Sequence, residues 1–197
     1  GFDPHLDLAR HAGAVSQNQI HKHNSGEISL KSLRKNYKVV NYSATYGVGA
    51  AKLSRETGMT VPEAKKLLDA YWQRNWAVAQ FSNDNLKKVK TIGGQMWIQN
   101  PVSKFWHTLR YEKDVFSTLN QSTGAYCFDK WMAYYLQVSP NIIGQFHDES
   151  INVVRKGQEE QHKMILVSAI EKLNKELKLN VELGIDVQFG NKYSEIH

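Results

Sequence analysis

Apolar positions recur every three to four residues through most of the first half of the chain, a spacing that predicts helices. Residues 6–18, LDLARHAGAVSQN, read as one amphipathic helix. Ser29 or Ser32 is the expected cap of a second helix, LKSLRKNYKVVNYSAT, closed by Gly47 and Gly49. A short helix, GAAKLSRE, should end at Gly58. Thr60, Val61, Pro62 and Glu63 then form a helix start: a capping hydroxyl, a proline in the first turn and an acid at the positive end of the dipole. That helix is expected through EAKKLLDAYWQRN, with another continuing to about Lys90.

The pattern changes near Gly93-Gly94. QMWIQNP reads as a strand with a proline stop, followed by a long helix over 108–136 with Phe116, Leu119, Tyr126 and Trp131 among its apolar positions. Pro140 breaks it. NIIGQFHDESINVVRKG has strand composition on both sides of HDES, which predicts a tight β-hairpin with acids at its turn. Residues 159–178 return to a helix with Ile165, Ala169, Ile170, Leu173 and Leu177 on one face, and VELGIDVQF reads as a final strand. Long helices followed by hairpin, helix and strand predict an α+β protein.

With 197 residues and 41% apolar content, the chain has the material for a proper core, as one large domain or two small ones. No apolar run approaches the roughly 18 residues of a membrane span, and the opening GFDPHLDLAR is too acidic for a signal peptide. A soluble, intracellular protein without a membrane partner is expected. Cys127 has no second cysteine to pair with and reads as a buried small residue.

The net charge of +6 is unevenly spread: residues 1–112 hold 16 Lys and Arg against 8 Asp and Glu, residues 113–197 hold 9 against 11. The basic half has the footprint of a polyanion-binding surface, although a solvated helical face carries similar charge.

Two constellations carry candidate chemistry. Arg34, Lys38 and Tyr42, spaced by four, share a helix face, with Tyr46 one turn further on. Cations there would hold a triphosphate while aromatic rings pack on base and sugar; spacing alone also fits a basic face beside core tyrosines. In His147-Asp148-Glu149, two adjacent carboxylates at a tight turn repel each other unless a cation lies against them, and Mg²⁺ prefers such oxygens. A surface turn rich in acids is the plainer alternative.

The string RKNYKVVNYSATYG resembles motif B of the family A DNA polymerases, the DNA polymerase I type: Arg, Lys four later, Asn-aromatic, Tyr-Gly. HDE is similar to motif C of the same family, at the matching distance and order. Weaker likenesses span the rest of the chain: Asp3-Pro4-His5 to the Asp-x-His segment after motif A, MTVPEAKKLLDAYWQRN to the helical hairpin of the fingers, LNQSTGAY to a palm helix, and VQFGNKYSEIH, closing on His197, to the family's carboxyl end. Ser43, Ser117 and Tyr193 depart from the usual Gly, Asn and Trp. Tyr42 is the phage-branch variant, which implies tolerance of dideoxynucleotides.

The resemblance implies a right-hand polymerase: helical fingers over 1–108, and part of the palm over 109–197 with its antiparallel hairpin, long helices and C-terminal strand. It implies that Asp148 binds the catalytic metals with Glu149 beside it, and that Arg34, Lys38 and His5 hold the triphosphate. Tyr42 and Tyr46 would shape the base and sugar pocket, and Lys38 would protonate departing pyrophosphate. Gln121, Lys113 and His147 would contact primer-template DNA.

Two Mg²⁺ ions are implied, shared with a motif A Asp that this stretch does not contain, since Asp3 to Arg10 lacks the Glu of that motif. The chain is expected to begin just after motif A. It would therefore pair with an N-terminal polymerase polypeptide carrying motif A, the thumb and, where one exists, a 3′ to 5′ exonuclease, and be inactive without it. The implied reaction is template-directed transfer of dNTPs to a primer 3′-hydroxyl, in the cytoplasm of a bacterium or phage-infected cell. A non-catalytic nucleic-acid-binding remnant and a single-subunit RNA polymerase fragment are the alternatives, and Asn41-Tyr42 with Glu149 argues against the second.

Overall fold

A computed structural model of the chain describes residues 2–81 and 86–196. Contacts divide it into two compact units, Gly1–Gln99 with Phe105–Leu119, and Asn100–Lys104 with Asn120–His197. The last boundary between them, after Leu119, falls within a helix. Among the described residues no helix is long and apolar enough to cross a membrane.

The first unit starts with α1, Pro4–His11. Asp3 caps it, accepting from the backbone N–H groups of His5 at 2.9 Å and Leu6 at 3.0 Å, while Pro4 occupies a position that has no use for an N–H. The single helix expected over 6–18 is instead two. Gly13, at φ +77°, turns the chain, and Ser16 opens α2, Gln17–Asn24, with Gln19 in a reciprocal capping box.

Helix α3, Lys31–Thr45, follows. Leu30 holds its cap position without a side-chain hydrogen bond, so neither Ser29 nor Ser32 caps it as expected. Gly49 precedes α4, Ala50–Thr57, which ends in left-handed Gly58 as read. The start at Thr60 is also as read: α5, Val61–Arg74, has its capping box, Glu63 accepting from the Thr60 N–H at 2.8 Å. Leu8, Val40, Ala44, Leu53, Ala64, Leu68 and Tyr71 interlock into one core. Burial of each large side chain there contributes about 1.5–3 kcal/mol.

The helix expected to run on to Lys90 corresponds to α6, Trp76–Phe81, and then to strand β1, Lys88–Lys90. Residues 82–85 on that path, like Gly1 and His197, lie outside the described residues. β2, Met96–Gln99, is the expected strand, flanked by β1 and by β3, Trp106–Leu109, in an antiparallel sheet of order β1-β2-β3. The long helix therefore cannot start at 108, because Thr108 and Leu109 are paired with Trp97 and Met96. It starts later, as α7, Val115–Leu136. Ile98, Leu109, Val115 and Leu119 form the core beneath the sheet.

Gly47 follows the C-cap of α3 at φ +69°. A Cβ built there would lie 3.5 Å from Lys113 Cδ, an ordinary contact, so the cost of a side chain is the backbone conformation alone. Gly47→Ala is expected to destabilise the first unit by about 1–2 kcal/mol, read as a lower denaturant midpoint with an unchanged slope.

In the second unit Trp131, Met132 and Tyr135 of α7 meet Leu166, Ala169, Ile170 and Leu173 of α8, Glu159–Leu177. Trp131 Nε1–H donates to the Leu166 carbonyl at 3.2 Å. Cys127 is buried in the same core, as read, and burial pushes its thiol upward. The hairpin is β4, Ile142–Phe146, and β5, Glu149–Asn152, antiparallel with an irregularity between Ile142 and Gly144.

The expected final strand has no ladder among the described residues. Leu183, Ile185 and Val187 do alternate onto the core as the period-2 pattern requires, but the chain is tied by a side chain. Asn174 Oδ1 accepts from the Leu183 N–H at 2.9 Å and its Nδ2 donates back to the Leu183 carbonyl at 2.8 Å. The apolar alternation dictates which side chains turn inward, whereas a ladder needs a neighbouring backbone.

Candidate functional site

The first unit brings together the five residues expected to hold a nucleotide. Leu33, Tyr37, Val40 and Ala44 turn α3 inward, which leaves Arg34, Lys38 and Tyr42 on its outer face and Tyr46 at its C-cap. Tyr42 is 54% and Tyr46 47% exposed, so neither is a core tyrosine. Lys38 Nζ lies 5.8 Å from the Tyr42 ring centroid, and the His5 ring stands 6.0 Å from the same ring at 49°.

Asp3 organises this face from below. One of its oxygens caps α1 and the other takes the Arg34 Nε–H. Burial alone would raise the Asp3 carboxyl, but the Arg34 hydrogen bond, the two backbone donors and the Arg34 charge together hold it below its ordinary range. A parallel bond joins Arg74 Nε to Asp7 Oδ2 at 2.6 Å, tying α5 to α1. Neither pair is visible in the sequence, where the partners lie 31 and 67 residues apart.

His5 is buried and its protonation follows from its neighbours. Asn41 Nδ2 donates to the carbonyls of Tyr37 at 3.2 Å and Pro4 at 3.4 Å, which identifies it as the amide nitrogen. Its 3.1 Å contact to His5 Nδ1 therefore makes Nδ1 an acceptor and leaves the ring proton on Nε2. Burial lowers the His5 pKa; Asp3 opposes this, and Arg34, Lys38 and Arg74 reinforce it. At neutral pH His5 is thus a neutral donor, able to give one hydrogen bond to an anionic oxygen.

Burial also lowers His162, which is enclosed in the second unit with Tyr135 OH 3.4 Å from Nε2. For both histidines the folded pKa is below the ordinary 6.5, so the unfolded chain binds more protons. Their contribution to stability is full above about pH 6.5 and is lost as pH falls toward the folded values. Thermal melts at stepped pH should show this decline first. A second decline should follow below 3.8, where Asp3 and Asp7 protonate.

The acidic hairpin belongs to the second unit. Phe146 pairs with Glu149 across a two-residue turn of His147, at φ +50°, and Asp148. His147 and Asp148 are exposed, Glu149 half-buried. Asp148 and Glu149 line a cleft of about 640 Å³ with Asp186, Asn152 and His162, and Asn152 Oδ1 is buried there without a hydrogen-bond partner. The donors are hard oxygens, the chemistry of a Mg²⁺ site. Among the described residues, no group of three or more His, Cys, Asp and Glu is placed to hold an ion.

The expected DNA contacts are spread over both units. Lys113 packs its stem against Gly47 with Nζ 5.9 Å from the Tyr111 ring, in the first unit. Gln121 is exposed on α7 in the second unit, the unit that also carries His147. Sequence reasoning missed the structural role of Asn41, the cation-supporting role of Asp3 and the place of Asp186. An Asp-Pro pair before an apolar run is a helix-start signal from which the cap at Asp3 could have been read.

Comparison with curated proteins found no match. Among solved structures, the POL domain of Pol1 from M. smegmatis, in complex with DNA primer-template and dNTP, is similar in fold, with a TM-score of 0.59 at 19% identity over 87% of this chain. The chain spans 31% of that protein's length. The sequence model of DNA polymerase family A matches residues 2–195, and the chain belongs to that family.

Proposed function

We propose that these residues form the fingers and part of the palm of a DNA-directed DNA polymerase, which adds dNTPs to a primer 3′-hydroxyl as the template directs, in the cytoplasm of a bacterium or phage-infected cell. The observation that carries this is the exposed face of α3. In a chain of this family, Arg34, Lys38, Tyr42 and Tyr46 stand in one row with His5 against Tyr42. Arg34, Lys38 and the Nε2–H of His5 bind the triphosphate, and Asp3 keeps the Arg34 fork aimed. Tyr42 and Tyr46 bound the sugar and base. Lys38 protonates the departing pyrophosphate.

Asp148, assisted by Glu149, would hold Mg²⁺. When bound, the two ions supply charge neutralisation at the reacting oxygens. The remaining ligands come from an N-terminal polymerase polypeptide, joined or separate, that carries motif A and the thumb. Lys113, Gln121 and His147 contact primer-template DNA. Closure of α3 onto a matched base pair excludes water and supplies selectivity.

Primer extension by the completed enzyme with dNTPs and, separately, ribonucleotides tests the reading. Extension confined to dNTPs supports it, and preferential ribonucleotide use would point to an RNA polymerase instead. In the same assay the Tyr42 hydroxyl should stand in for a missing sugar 3′-hydroxyl. Tyr42→Phe should then lower dideoxynucleotide incorporation by at least about tenfold, and an unchanged dideoxy-to-deoxy ratio would refute that role.

A further inference from the structure

Next to the triphosphate face lies a second basic feature, an open groove of about 480 Å³ between α2 and the N-terminal half of α3. It is lined by His23, Lys31, Arg34, Lys35 and Lys38, with no acid in its wall. Among the described residues Arg34 has a carboxylate partner, Asp3, while Lys31, Lys35 and Lys38 have none. The cations crowd the first two turns of α3, the positive end of its dipole, and its first turn carries no acid. Such charge opposes folding unless an anion is drawn to it.

The order of residues along α3 indicates which anion. Tyr46 and Tyr42 lie at the C-terminal end, Lys38 comes next, Lys35 and Arg34 share the turn before it, and Lys31 lies beyond them, with His23 of α2 lining the same groove. If Tyr42 and Tyr46 take the sugar and base, the groove opens at the far end of the phosphate chain. Lys31 to Lys38 covers roughly 10 Å of helix axis, and Arg34 and Lys38, which line the groove, belong to both features and join them.

We propose that His23, Lys31 and Lys35 form a subsite for inorganic pyrophosphate, which receives the leaving group from Lys38 on its way to solvent and presents it for the reverse reaction. This rests on the polymerase reading for its direction, but the anion site itself does not. The ammonium groups of Lys31 and Lys35 and the His23 ring offer donors that a pyrophosphate would share among its outer oxygens.

The test uses the 197-residue chain and two exposed substitutions, Lys31→Gln with Lys35→Gln. Calorimetric titration with inorganic pyrophosphate should give binding that the double variant weakens roughly tenfold and that the corresponding arginine variant largely keeps. In the completed polymerase the KM for pyrophosphate in pyrophosphorolysis should rise by a similar factor, with a much smaller rise in the KM for dNTP. Unchanged pyrophosphate affinity would overturn the subsite. So would equal rises in both KM values, or a loss confined to single-stranded DNA binding. If pyrophosphate binding depends on the two lysines but the completed protein extends no primer, the subsite stands and the polymerase reading fails.

Discussion

Asp148→Asn in the completed polymerase should lower single-turnover primer extension by about 10³-fold while leaving the fold and primer-template affinity near those of the parent. The substitution keeps shape and hydrogen-bonding capacity and removes one negative charge. Asp148 is exposed at the tip of the β4–β5 turn and outside the cores, so no packing changes. A carboxylate with only a surface role would contribute at most a few tenths of a kcal/mol. The two readings of the HDE string therefore differ by orders of magnitude, and a loss under tenfold would restore the plainer one. Glu149→Gln should cost less, because an assisting ligand leaves Asp148 in place. The reverse order would transfer the principal role to Glu149.

The second large effect is expected at Lys38. If its ammonium gives a proton to departing pyrophosphate, Lys38→Ala removes a general acid, worth about 10²–10⁴-fold in kcat. Lys38 is exposed and contacts Tyr42 by its charge, so lost packing cannot account for a change of that size. The solvent isotope effect on the chemical step separates proton transfer from simple charge. It should shrink in Lys38→Ala, whereas a pure binding role would raise the KM for dNTP and leave the isotope effect intact.

Much of this was legible because local chemistry dictated it. The Thr60–Glu63 box, Gly58 as a stop, the hairpin around HDES and the apolar face of α8 rest on residues within a few positions of one another. The break at Gly13 was also written in the chain, since Ser16-x-x-Gln19 is a capping-box string, but the apolar periodicity across 6–18 masked it. Strands β1 and β3 were hidden for a different reason. KVK is wholly exposed and WHTL has a single buried residue, so neither announces itself without β2 between them.

The same limit holds for the site. Spacing by four put Arg34, Lys38 and Tyr42 on one face, and only their exposure shows that this face is open to a ligand. The Asp3–Arg34 and Asp7–Arg74 pairs depend on how α1 packs against α3 and α5. The same packing removes His5 from water, and that burial lowers its pKa.

One cage of negative charge decides the matter. Primer extension with Mg²⁺ should be undetectable with the purified 197-residue chain and appear when the N-terminal polymerase polypeptide is supplied. Extension by the 197 residues alone would mean that the acids of the β4–β5 hairpin suffice, and would contradict the shared site.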